Sequence, residues 1–116
     1  MKQIVLFASV LFLAYCTSNK KTSAVDDSPT EKELTVAKKT WPSATLAELT
    51  EGRSIYKNQC KECHKNFTIT KFSEKKWKHE IDDMSPKAKL TADQKEKLSK
   101  YILSYREANA PVASAK

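Results

Sequence analysis

Cys60-Lys61-Glu62-Cys63-His64 is the stretch on which the reading of this chain turns. Two cysteines separated by two residues, with a histidine directly after the second, have the spacing for covalent attachment of one c-type haem: the thiols add to two vinyl groups and the adjacent imidazole becomes an iron ligand. The five residues alone admit other chemistry. A structural zinc site needs four ligands, and beyond Cys60, Cys63 and His64 only His79 remains, because Cys16 falls in the N-terminal leader. A thioredoxin-like pair of cysteines opens a helix after a strand, whereas the residues before Cys60 carry a helical period. A plain disulfide would need no cofactor at all. Haem is favoured because the flanking chain supplies what a haem needs.

Working outward, the chain is short and basic. Its 116 residues suit one small domain behind a leader, and 21 Lys and Arg against 14 Asp and Glu give a formal charge of +7. A single glycine among many Lys, Glu and Ala favours helices over strands. Residues 1–16 read as an export signal: Lys2 supplies the positive start, and the apolar run over residues 4–14 is too short for a membrane-spanning helix of ~20 residues. Leu13-Ala14-Tyr15-Cys16 resembles the lipobox of bacterial lipoproteins, with Tyr15 standing where a small residue is usual. The resemblance implies acylation of Cys16 and a lipid anchor on the periplasmic side of a membrane; an ordinary signal peptide cut elsewhere is the alternative. Exported thiols are seldom left unused, and two thioethers with one acylated cysteine would employ all three. Charge alone would also suit nucleic acid, which an exported chain is not expected to meet.

Residues 17–43 are rich in Lys, Ser, Thr and Asp and show no apolar period, which predicts a flexible, solvated linker. Trp41-Pro42 stands at its end, where Pro42 disfavours helix at Trp41 and the indole is expected either to fold back or to sit at the domain edge. A domain over residues 44–109 follows, then a disordered tail over 110–116.

Within the domain, Thr45-Leu46-Ala47-Glu48 fits a capping box at a helix start. Leu49, Gly52, Ile55, Tyr56 and Cys60 then recur at three- and four-residue steps, one apolar face that carries the first thiol. Gly52, the only glycine, costs its helix about 1 kcal/mol against alanine, a penalty that makes sense where another backbone comes close. Residues 65–71 have no period and are expected to loop around a haem edge with Phe67 and Ile69 inward. Ser73 caps a second helix, on which Trp77, Ile81 and Met84 share a face. Met84 is the candidate second axial ligand, since a thioether in an apolar wall opposite the histidine can close the iron site. His79, turned away from that face, is the rival, and an open sixth position is the third possibility. Thr91 caps a last helix with a stripe of Leu98, Tyr101, Ile102, Tyr105 and Ala108, and with Lys95, Glu96, Lys97, Lys100 and Arg106 on the other side. Gly52 and Tyr56 are expected to pack near Tyr101, Ile102 and Tyr105.

Taken together, Gly52-x-x-Ile55-Tyr56-x-x-x-Cys60-x-x-Cys63-His64, then Met84-Ser85-Pro86, then Leu90-Thr91 leading into a helix with Tyr101, resembles class I monohaem cytochromes c over roughly residues 45–108. The resemblance implies an all-α fold of about three helices around one covalent haem c, with thioethers at Cys60 and Cys63, His64 as proximal ligand and Met84 as distal ligand. It departs in spacing: 19 residues separate His64 from Met84, fewer than usual, and the customary Gly and Pro after the haem histidine are missing. The carbonyl that would orient the His64 ring is therefore unassigned. A core of about 64 residues is thin, and chains of this size rely on a staple such as a covalent cofactor.

The function implied is electron transfer rather than catalysis, because iron with both axial positions filled passes electrons and binds little else. Lys61, Lys65, Lys71, Lys87 and Lys89 are expected near the haem edge, where they would steer acidic redox partners. An open sixth site binding a gas or peroxide, a haem subunit of a larger oxidoreductase and a cofactor-free lipoprotein with a disulfide are the competing readings.

Overall fold

Each α-helix among the described residues begins on a hydroxyl. In the computed structural model, which describes residues 27–62 and 65–111, helices run over Glu31–Thr40 (α1), Leu46–Asn58 (α2), Glu74–Lys87 (α3) and Ala92–Asn109 (α4). Thr30, Thr45 and Thr91 head α1, α2 and α4, each paired with a Glu or Gln three residues on whose side chain accepts from the cap's own N–H, at 2.8, 2.8 and 2.9 Å. Two otherwise unpaired amides are satisfied at each start. Ser73 does half of this for α3, accepting from the Lys76 N–H at 3.2 Å. Single 3-10 turns at Cys60–Glu62 and Ile69–Lys71 complete the order. No strand occurs among the described residues, so the fold is all-α.

Among the described residues the α-helices number four rather than three, and the extra one corrects the expectation of a linker over residues 17–43. α1 is amphipathic on a small scale: Leu34 and Ala37 are buried with Ala44 and Leu49, and Trp41 and Leu46 close over them. Too few apolar residues lie in α1 to make a period visible, but combined with α2 they form a second cluster. Polar contacts fasten the same segment to the body of the fold. Asn109 donates to Glu33 Oε1 at 2.7 Å, Lys39 pairs with Glu107 at 2.8 Å, and the Asp27 carboxylate bridges Arg53 and Lys57 while its carbonyl accepts from Tyr101 Oη at 3.0 Å. The domain therefore starts by Asp27, not at residue 44. Residues 1–26 and 112–116, with the leader, Cys16 and most of the proposed tail, lie outside the described residues.

α4 is the element on which the others pack, with α1, α2 and α3 around it. Its crossing with α2 is made possible by Gly52: a Cβ there would lie 2.1 Å from the Lys97 carbonyl oxygen and 2.8 Å from Tyr101 Cβ. The glycine is thus explained by backbone proximity. Around the crossing, Ile55, Tyr56, Ile69, Trp77, Ile81, Leu98, Tyr101 and Ile102 form the main core, and the ring centroids of Tyr56 and Tyr105 lie 6.3 and 5.8 Å from that of Tyr101. Lys100, expected on the outer face, is 5% exposed and pairs with Glu48 and Glu96. α3 ends where Lys89 takes a positive φ of 54° and the Leu90 N–H closes back on the Ser85 carbonyl at 3.0 Å.

Candidate cofactor pocket

Three apolar faces that turn toward each other do not quite meet. Between the C-terminal end of α2, the segment over residues 65–72, α3 and α4 lies a pocket of about 70 Å³, part of it open to solvent. Trp77, Ile81 and Met84 come to it from α3 at helical spacing, and Leu98 and Ile102 from α4. Tyr56 and half-buried Cys60 come from the end of α2 and the turn that follows it.

The aromatic wall is fixed by directed contacts. Trp77 Nε1 donates to the Ile69 carbonyl at 2.6 Å, and its ring stands edge-on to Tyr56 at 6.0 Å and to Phe72 at 5.4 Å. Tyr56 Oη donates to the Phe67 carbonyl, Asn66 Nδ2 donates to the Tyr56 carbonyl at 2.8 Å, and Arg106 holds the Phe72 carbonyl at 2.7 Å. The segment after the cysteines is thereby sewn to both α2 and α4. Phe67, expected inward, is 46% exposed at the mouth, where Lys71 Nζ lies 5.8 Å from its ring. Ile69 is buried as expected.

Burial pushes the Cys60 thiol above its ordinary value, and the thiol follows the C-terminal, negative end of α2. Both effects oppose a thiolate, whereas redox-active cysteine pairs need a lowered pKa. Burial likewise raises the Tyr56 phenol, with Cys60 and Asp27 adding to the shift, so Tyr56 acts at neutral pH as a hydrogen-bond donor.

Of the residues picked out by sequence, Cys60 and Met84 are brought to one pocket although 23 residues lie between them. Cys63 and His64 lie outside the described residues, as does Cys16. His79 is exposed on α3 and does not line the pocket. Comparison with family models, curated proteins and solved structures returns no match. Among the described residues, no group of three or more His, Cys, Asp and Glu converges as a metal site, and no helix is long and apolar enough to cross a membrane. Lys61, Lys65, Lys71, Lys87 and Lys89 are all exposed; Lys87 lines the mouth and pairs with Asp83 at 2.7 Å. Asn66 and Glu80 also line the pocket and were not singled out by sequence, since neither belongs to an apolar period or to a spaced motif.

Proposed function

We propose that this chain is a membrane-tethered monohaem cytochrome c that carries electrons between redox partners outside the cytoplasm. The observation that carries the proposal is the convergence of Cys60 and Met84 on one largely apolar pocket, directly after the helix that leads into the Cys-x-x-Cys-His stretch. In this reading Cys60 and Cys63 hold haem c through thioethers, His64 is the proximal ligand and Met84 the distal one. Haem supplies a one-electron exchange between ferric and ferrous iron.

The remaining work belongs to the protein. Trp77, Ile81, Leu98 and Ile102 line the pocket with apolar surface, which lowers the local dielectric and disfavours net charge at the centre. Met84, on the last full turn of α3, offers a soft sulfur that favours the reduced state. Exposed Lys87, which lines the mouth, and Lys71, whose ammonium lies beside exposed Phe67, would give an acidic partner surface a basic and partly apolar rim. If Cys16 is acylated, the docking of residues from Asp27 onward limits the tether to residues 17–26, a reach of at most ~40 Å by covalent geometry.

The test is an absorption spectrum of the chain matured where haem-attachment machinery is present. Sharp c-type bands on reduction, a weak far-red band in the ferric state and no change with carbon monoxide are expected. New bands with carbon monoxide would move the proposal to an open-site haem protein, and a featureless visible spectrum would end it.

A further inference from the structure

We propose that the Glu80 carboxylate sets the reduction potential of the centre held in the pocket, pulling it down against the sulfur of Met84. The inference rests on the haem reading above and deepens it. Among the described residues that line the pocket, only Glu80 and Lys87 carry charge. Both belong to α3, and Met84 stands four residues after the first and three before the second. Side chains at such steps are neighbours on a helix, with Cβ atoms about 5–6 Å apart. An anion and a cation therefore flank the thioether along one edge of α3.

The two charges are not equivalent. The Lys87 side chain is 59% exposed and its ammonium pairs with Asp83 at 2.7 Å, whereas the Glu80 side chain is 28% exposed. Water screens the lysine well and the carboxylate much less, so Glu80 acts through the lower dielectric. Its partner is Lys76 at 2.5 Å, which does not line the pocket, is 49% exposed and stands two turns from Met84. That pairing fixes the carboxylate and offsets part of its field without cancelling it. A carboxylate in an otherwise apolar wall also costs desolvation that an apolar side chain would not, which singles the position out. The other carboxylates of α3, on Glu74, Asp82 and Asp83, are exposed and do not line the pocket.

One-electron reduction adds negative charge to the centre, and a fixed anion beside it disfavours that state. The experiment compares matured holoprotein of wild type, E80Q, E80D, K76Q and E74Q by midpoint potential and by the far-red ferric band. E80Q is expected to shift the redox equilibrium about tenfold toward ferrous iron, or ~59 mV for one electron, with the band unchanged. E80D keeps the charge and should stay near wild type, K76Q should shift the equilibrium toward ferric iron, and E74Q, the same change of charge on the exposed first turn of α3, should leave it in place. A wild-type potential in E80Q or in K76Q would overturn the proposal. Equal shifts in E80Q and E74Q would assign the effect to net charge and overturn it too, as would loss of the band in E80Q, which would make Glu80 a strut for Met84. Wild type without a haem spectrum would overturn the functional reading itself, which separates the two failures.

Discussion

Replacing Gly52 with alanine tests the helix crossing that aligns the pocket walls. The added Cβ would stand 2.1 Å from the Lys97 carbonyl oxygen, 2.8 Å from the Lys97 carbonyl carbon and 2.8 Å from Tyr101 Cβ, where ordinary contact begins at 3.4 Å. Two of those atoms are backbone, so no rotamer change relieves the clash; α4 has to retreat by more than an ångström. It has little room, because Tyr101 and Ile102 are 0% and 1% exposed. Overpacking of this kind costs about 1–3 kcal/mol, and a backbone clash belongs near the top of that range. Removing a helical glycine returns about 1 kcal/mol. The expected net loss is ~2 kcal/mol, a fall in melting temperature of roughly 8–16 °C for a domain of this size, read by far-UV circular dichroism on the holoprotein. An alanine variant as stable as wild type, or more stable, would show that the helices do not cross where described.

Three further outcomes follow from the same structure. The double variant Cys60→Ala/Cys63→Ala should be largely unfolded by circular dichroism, with any residual amide protection confined to α1, α2 and α4; α3, which packs mainly on α4 and whose inner face lines the pocket, should exchange fastest, and a protected α3 would contradict this. Met84→Ala should keep its haem, lose the far-red ferric band and gain reactivity toward carbon monoxide, at a stability cost of ~2 kcal/mol, the lower end for a half-buried methionine; retention of the band would assign the sulfur elsewhere. Burial pushes the Glu33 carboxyl up, but hydrogen bonds from Thr30 and Asn109 outweigh it and hold the carboxyl below its ordinary value of 4.5. A depressed carboxyl stabilises the fold above its unfolded pKa and stops doing so as pH falls through the folded one. Wild type should therefore exceed Glu33→Gln by about 1–2 kcal/mol at pH 7, with the gap closing below about pH 4.5 in melts taken across pH; a constant gap would remove the charge from the explanation.

The helix starts at Thr45, Ser73 and Thr91 were legible because each cap is a local pattern, complete within four residues. Gly52 was legible for a different reason, since a lone glycine on an apolar helix face has few explanations other than a close neighbour. The pairing of Cys60 with Met84 followed from two separate stripes, each pointing to a shared interior. α1 was missed although Thr30-Glu31-Lys32-Glu33 carries the same capping signal as Thr45-Leu46-Ala47-Glu48. Its buried apolar face is two residues wide, and its value comes from Leu49 and Ala44 beyond its own ends. Lys100 was misassigned because a lysine reads as solvent-facing, whereas here its stem is buried and its ammonium reaches the carboxylate that completes the α2 cap, Glu48, at 2.8 Å. Asn66 had no signal at all: its place in the pocket wall depends on a carbonyl ten residues earlier, a contact that only three-dimensional placement reveals.

The most direct measurement is peptide mapping by mass spectrometry of the mature native protein. Bonding of one tetrapyrrole to the segment over residues 58–65, through both Cys60 and Cys63, is the predicted result. Recovery of that segment unmodified, or with its two cysteines joined only to each other, would contradict the account.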